Sequence, residues 1–405
     1  MKFQTPKGTR DLMPEDAARM NYVRSVVSRV FESFGFAPLY TPAFESFELL
    51  GAKGGLGEAV KDEIYYFKDK SDRELGLRFD QTMPLARVIS SNPQMPKPFK
   101  RYAVGTVWRY DNPQAMRWRE FWQADADIVG SSSIVADAEV IAAACTCLEK
   151  LGFKDYSIRV NNRKFLDAKI GKSVDKEKLP QIFRILDKLD KIGEEGVRAE
   201  LRKIGCDKKE VLAIISDKSC ADADEDIVRL RKYLKPFGFD KRLQVDASLV
   251  RGLEYYTGLV FEVSLGKNVS CGGGGRYDDL IGKMGGQATA SVGISLGLDR
   301  VAEVMKEERM AYPKREVVFV VNVDEASRLA AIKLGQELRA AGIDCATNVT
   351  DRPMAKQFDS AESMGARYVV IVGKDEIKSK KFKLRDMETK KQSEKTLQQI
   401  VKAVE

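Results

Sequence analysis

"EFWQADADIV", residues 120–129, decides how the chain around it is read. Side chains two apart on a strand share a face. Phe121, Gln123, Asp125 and Asp127 therefore point one way, and Trp122, Ala124, Ala126 and Ile128 the other. The second set suits a core; the first carries an aromatic ring, an amide and two carboxylates. Upstream, KRYAVGTVWRY (100–110) has the β-branched and aromatic content of a partner strand, and the polar DNPQAMRW (111–118) lies between. The pair predicts a long antiparallel hairpin. A solvated polar face is ordinary for such sheets. Yet Arg109 ends the first strand, and Arg117 and Arg119 sit in the loop. Guanidinium groups beside a ring and carboxylates suit a nucleotide's phosphates and a second polar ligand. Spacing alone leaves both readings open.

Outward from the hairpin, Pro14 to Phe34 reads as an amphipathic helix stopped by Gly35, with Val23, Val26, Val27, Val30 and Phe31 at helical spacing. APLYTPAFES (37–46) follows, and Pro38 and Pro42 make it an edge strand that could face a partner. IYYFKD (64–69) and LGLRFD (75–80) read as short strands, and residues 134–151 as an alanine-rich helix ended by Gly152. Residues 163–236 turn rich in Lys, Asp, Glu, Leu and Ile at helical spacing. Strand patterning then resumes at RLQVDASLV (242–250), LVFEVSL (259–265) and ATASVGISLG (288–297). We therefore expect a β-rich unit over 1–162 and 239–312, split by a helical insertion over 163–238. After Pro313, strands and helices alternate, which predicts a separate α/β domain over 316–405. There KFKLRDM (381–387) reads as an edge strand and SEKTLQQIVKAVE (393–405) as the closing helix. The lysine-rich run from Lys374 to Lys395 reads first as a solvated face and second as an RNA contact.

The 405 residues, 43% apolar and 32% charged, fit a soluble protein of two or three domains, and the net charge of +8 suits a polyanionic partner. MKFQTPKGTRDLMPEDA has no apolar signal run and no stretch is long enough to span a bilayer, so a cytoplasmic location is expected. Six scattered cysteines without a C-x-x-C pair read as free thiols, and with no histidine in the chain they argue against a protein-borne metal site. The lack of histidine also excludes Ser-His-Asp hydrolysis and HExxH zinc chemistry. CGGGGRYDD (271–279) matches no phosphate-loop fingerprint and reads as a tight turn or a close backbone approach to a ligand. LVRGLEYYTG (249–258) reads as a buried strand, although Arg251, Glu254, Tyr255 and Tyr256 are poor core choices.

Taken together, KGTRDLMP (7–14), FGFAPLYTPAFES (34–46), VWRYDNPQAMRWREFWQ (107–123) and SVGISLGLDR (291–300) resemble the opening and the three class motifs of a class II aminoacyl-tRNA synthetase. LVRGLEYYTG and GGGGRYDDLIGKMGG (272–286) resemble the two signatures of the histidyl family, and the likeness spans nearly the whole chain. It implies an α+β fold: a class II antiparallel sheet flanked by helices, with a helical insertion and a C-terminal α/β anticodon-binding domain. It implies a homodimer, with motif one at the interface, that activates L-histidine with ATP and Mg2+ and transfers it to the 3′ end of tRNA-His.

Carried over residue by residue, the likeness gives Arg109 to the α-phosphate and the amino-acid carboxylate, Asp111 to the adenine amino group and Phe121 to its ring. Arg117 and Arg300 take the outer phosphates, and Arg251 stabilises charge as the carboxylate attacks phosphorus, which makes Arg251 and Arg109 the catalytic pair. Asp80, Thr82 and Gln123 go to the α-amino group, and Asp127, Tyr255 and Tyr256 to the imidazole side, although strand alternation would turn Tyr255 away to packing. Three departures stand out: Asp80 replaces a bacterial glutamate, Trp122 a common histidine, and Met116 a small residue. Two rival readings are a non-catalytic, histidine-binding regulator of histidine biosynthesis and a class II synthetase for another amino acid.

Overall fold

The computed structural model of the chain describes residues 3–51, 63–110, 112, 116–172, 174–186, 188–206, 211–212, 222–250, 255–266, 269–313 and 315–404. Asp111, Cys220, Arg251 and Glu254 lie outside the described residues. The chain divides into two compact units, Met1–Tyr312 and Pro313–Glu405.

The first unit is built on eight strands: β1 (Ala37–Pro38), β5 (Phe99–Trp108), β6 (Glu120–Val129), β7 (Tyr156–Asn162), β8 (Leu243–Val245), β9 (Leu259–Leu265), β10 (Val269–Arg276) and β11 (Ser291–Gly297). Three further strands, β2 (Phe44–Ser46), β3 (Tyr66–Lys68) and β4 (Glu74–Leu77), form a small antiparallel sheet beside them. In the large sheet the order is β1-β5-β6-β11-β10-β9-β7-β8, antiparallel throughout except for the two edge pairs. The hairpin of β5 and β6 pairs ten residues a side, with Arg101 opposite Asp127 and Gly105 opposite Gln123.

One sheet face is closed by helices. Ala124, Ala126 and Ile128 of β6 join Phe261, Val263, Val292 and Leu296 in a core with the helices Pro14–Ser33, Ile134–Lys150, Glu225–Leu234 and Leu298–Glu307. Ser133 caps the second of these by accepting the Val135 N–H, and its alanines let the helix lie close on the sheet. Arg276 at the end of β10 anchors that cap: its guanidinium donates to the carbonyls of Ser131 and Ser133 and pairs with buried Asp137. Residues 163–212 carry helices with a core of their own around Ile182, Phe183, Val197 and Leu201, whereas Ile227, Leu230 and Leu234 pack into the main core.

Two sequence expectations fail here. CGGGG is an interior strand, not a turn: Cβ atoms added to Gly272 and Gly274 would sit 2.5 and 1.9 Å from the carbonyl oxygens of Ser295 and Gly293 on β11. Glycine permits that approach at some loss of strand propensity. The described part of LVRGLEYYTG is loop, and the strand begins only at Leu259.

In the second unit β12 (Val318–Asn322), β13 (Cys345–Thr347), β14 (Tyr368–Val372), β15 (Phe382–Asp386) and β16 (Gln392–Lys395) form a sheet in the order β13-β12-β14-β15-β16. Val318 and Val320 pack under the helices Arg328–Ala340 and Leu397–Val404, while Phe319 and Val321 pack against Ala361 of the helix Met354–Ser363. KFKLRDM is thus an inner strand; residues 392–395, of which 393–395 were expected to start the last helix, pair with it as the edge. No helix among the described residues is long and apolar enough to cross a membrane.

Gly274→Ala should abolish soluble expression or lower Tm sharply, because its Cβ meets backbone that no rotamer can move. Gly282→Ala, whose Cβ would make ordinary contact with Ala288 at 3.5 Å, should leave Tm nearly unchanged. Thermal scans of the two variants check the point.

Candidate active site

The face of the large sheet turned away from the helices forms the floor of a cavity of about 1170 Å³. Asp80, Thr82, Gln123, Asp127, Tyr255 and Tyr256 line it, and so do Arg109, Arg117, Phe121 and Arg300. The described residues predicted for the two ligands therefore share one cavity. Asp111 and Arg251 fall outside the described residues.

At the acidic end, Asp127 lies on the sheet floor, 2% exposed. Its Oδ2 is 2.9 Å from Nη2 of Arg101, itself 1% exposed, and its Oδ1 accepts the Tyr277 hydroxyl at 2.6 Å. Gly293 pairs with Asp127 across the strands, and a Cβ there would fall 2.0 Å from Oδ1, so the carboxylate occupies space that only glycine leaves. Asp80 caps the helix Thr82–Ser91, its Oδ1 accepting the N–H groups of Thr82 and Met83. Ser295 donates to Asp125 Oδ1 at 2.5 Å, and the Gln123 amide donates to Ser295 Oγ at 2.9 Å.

Three buried oxygens, Asp80 Oδ2, Gln123 Oε1 and Asp127 Oδ2, accept no aligned hydrogen bond from the described residues. Acceptors buried in this way call for a ligand that brings N–H donors. Tyr255 and Tyr256 both wall the cavity, with ring centroids 4.9 Å apart. Strand alternation would have turned Tyr255 away; the segment is a loop, so that rule does not govern it.

The basic end holds three guanidinium groups. Arg109 donates from Nε to the Phe79 carbonyl at 3.1 Å and lies 5.2 Å from the Phe121 ring centroid. Arg300 donates to the carbonyls of Ser270 and Met116. Burial lowers the Arg300 pKa, and the charge of Arg117 lowers it further. Among the described residues no carboxylate pairs with Arg109, Arg117 or Arg300, so the cluster suits a polyanion.

The amino terminus braces the loop that carries Arg109 and Arg117. Arg10 pairs with Asp299 at 2.6 Å and covers the Trp118 ring at 4.4 Å. The Arg119 N–H donates to the Gly8 carbonyl, and Asp299 accepts the Trp122 N–H at 2.6 Å. Among the described residues no group of three or more Cys, Asp or Glu is placed to hold a metal ion.

Sequence reasoning assigned no role to Arg101, Tyr277 or Ser295. A signal for Arg101 existed: Arg109 and Arg119 close the hairpin, and counting eight residues along each strand from them brings Arg101 opposite Asp127. Tyr277 carried no such signal, since it lies beyond the end of β10.

Burial raises Asp127, with Arg101 opposing. It pushes Asp125 up to about 7; Arg101 pulls that value down, while the charges of Asp127 and Asp80 push it up. The unfolded carboxyl titrates near 3.8, so Asp125 favours the folded state in acid and loses that contribution as pH rises towards about 7. Asp125→Asn should therefore raise Tm relative to the parent, and by more at pH 8 than at pH 5. Scans of ligand-free protein at both values check it.

A family model described as histidyl-tRNA synthetase matches residues 8–301, and one described as an anticodon binding domain matches residues 317–405. The chain is 36% identical to the histidine--tRNA ligase of Pyrobaculum neutrophilum, covering 97% of each protein. It is 35% identical to that of Clostridium tetani, covering 98% of this chain and 97% of the other. The crystal structure of histidyl-tRNA synthetase from a Nostoc species superposes with a TM-score of 0.83 at 30% identity, covering 100% of this chain and 99% of that one. With both halves matched and the full length shared with such relatives, the chain belongs to the histidyl-tRNA synthetase family.

Proposed function

We infer that this protein is a histidine--tRNA ligase that activates L-histidine with ATP and passes it to the 3′ end of tRNA-His. The observation that carries this reading is the division of one cavity into two ends. Buried carboxylate and amide oxygens at one end suit an ammonium and an imidazole N–H, and guanidinium groups with no carboxylate partner among the described residues suit a triphosphate at the other.

In the first step a histidine carboxylate oxygen attacks the α-phosphorus and pyrophosphate leaves, giving the adenylate. Arg109 steadies carboxylate and α-phosphate; Arg117 and Arg300 hold the outer phosphates; Phe121 stacks on adenine and Asp111 reads its amino group. Mg2+ arrives with ATP as part of that substrate and shields phosphate charge. Arg251 adds a further cation at the phosphorus. Asp80, Thr82 and Gln123 take the α-ammonium group, while Asp127 accepts the imidazole N–H and Tyr256 serves the other ring nitrogen. Tyr255 sets the position of Tyr256 through their ring contact. In the second step a terminal ribose hydroxyl of the tRNA attacks the acyl carbon and AMP leaves.

The same reading makes residues 316–405 the anticodon reader and the helical insertion a contact for the acceptor arm. It makes the protein a cytoplasmic homodimer joined through residues 34–46, where Tyr40 and Phe44 are exposed. A regulatory, non-catalytic role is not favoured, because Arg109, Arg117 and Arg300 all remain in the cavity.

Pyrophosphate exchange into ATP, run with each of the twenty amino acids and no tRNA, should respond to histidine alone; histidine binding without exchange would sink the reading. Asp127→Asn should weaken discrimination against histidine isosteres, which hydrogen-bonded sites sustain at about 10⁴ to 10⁵. Arg251→Ala should slow single-turnover adenylate formation by about 10² or more while histidine binding persists.

A further inference from the structure

We infer that Asp125 and Ser295 are positioning residues that lock the Gln123 amide with its carbonyl oxygen towards the bound amino acid, so that the site demands an α-ammonium group. This rests on the reading above that places the α-amino group at Gln123.

The argument is one of donors and acceptors. Asp125 and Ser295 face each other across β6 and β11, and Gly297 stands opposite Gln123. An ionised carboxylate can only accept. The single proton of the Ser295 hydroxyl is therefore committed to Asp125 Oδ1, at 2.5 Å. What Ser295 has left is lone pairs, and these accept the Gln123 Nε2–H at 2.9 Å. That contact fixes which end of the amide faces the cavity: Oε1, buried and with no donor among the described residues. The flipped amide would set two acceptors against each other at Ser295 and offer an NH2 group to an ammonium, so the relay from Asp125 makes it costly. Neither Asp125 nor Ser295 needs to touch the substrate to act.

The relay depends on the charge of Asp125. Protonated, it can donate to Ser295 Oγ, which frees the hydroxyl proton for Gln123 Oε1 and lets the amide turn. The charged and titratable groups around Asp125 are Arg101 on β5, Asp127 on β6, Asp80 and Arg78 from the segment after β4, and Tyr255 and Tyr277. Two guanidinium groups thus face the three carboxylates of Asp80, Asp125 and Asp127, and burial pushes Asp125 up to about 7, so proton uptake falls in an accessible range.

The test compares Asp125→Asn, Gln123→Ala and the double variant by histidine KM in pyrophosphate exchange at pH 8, with imidazole-propionate, which lacks the amino group, as a competing ligand. Asp125→Asn is isosteric and mimics the protonated state. It should raise KM by about 10- to 100-fold, the worth of a hydrogen bond to a charged group, with kcat little changed. Inhibition by imidazole-propionate should be unaltered, and on the Gln123→Ala background the substitution should have no further effect. The parent's KM should rise below pH 7 more steeply than that of Asp125→Asn. Ser295→Ala, which removes the relay without touching a charge, should raise KM in the same direction. A KM effect of Asp125→Asn that multiplies with that of Gln123→Ala, an equal loss of imidazole-propionate binding, or no KM change would overturn the inference. A parental KM in Gln123→Ala would instead remove the placement of the α-amino group on which it rests.

Discussion

Everything on the cavity side of the sheet depends on a carboxylate that is buried without being neutralised by solvent. Asp127 sits under the ligand space because Gly293 leaves a gap beside it, Arg101 supplies the opposite charge and Tyr277 a proton donor. A buried charge stripped of either partner is expensive. Arg101 is in turn held by the Gln81 carbonyl at 3.0 Å. The polar floor is therefore a connected structure of strand neighbours, and the glycines of β10 and β11 belong to it as much as the charged groups do.

How much of this was legible in the sequence depended on whether local geometry was regular. Alternation along β6 placed Phe121, Gln123, Asp125 and Asp127 on one face, and the structure has all four lining the cavity while Ala124 and Ala126 enter the core. The rule broke at LVRGLEYYTG, whose apolar content mimics a strand while its described residues form loop. It broke again at CGGGG, where glycine usually signals a turn but here allows two backbones to approach. Arg101 looked like any strand arginine, because its role shows only once the hairpin register sets it opposite Asp127. In the second unit, polar residues 392–395 carried no strand signal of their own and pair only because β15 offers a free edge.

The two ends of the cavity also explain why it tolerates so much unbalanced charge. Carboxylates crowd one end and guanidinium groups the other, so the empty site is strained by like charges that its ligands relieve. A field of that shape orients a zwitterion and a polyanion before any contact is made. Part of the folding stability is thereby given up in the free protein and recovered on binding, as expected where sites are built for charged ligands.

The brace between Arg10 and Asp299 links the two extremes of the first unit. Synthesis proceeds from the amino terminus, and domains fold as their partners emerge. Arg10 is made long before the helix that bears Asp299, so this ion pair closes only after nearly three hundred residues of elongation. The arginine-bearing loop it steadies acquires its final support only when the last helix of the unit has left the ribosome.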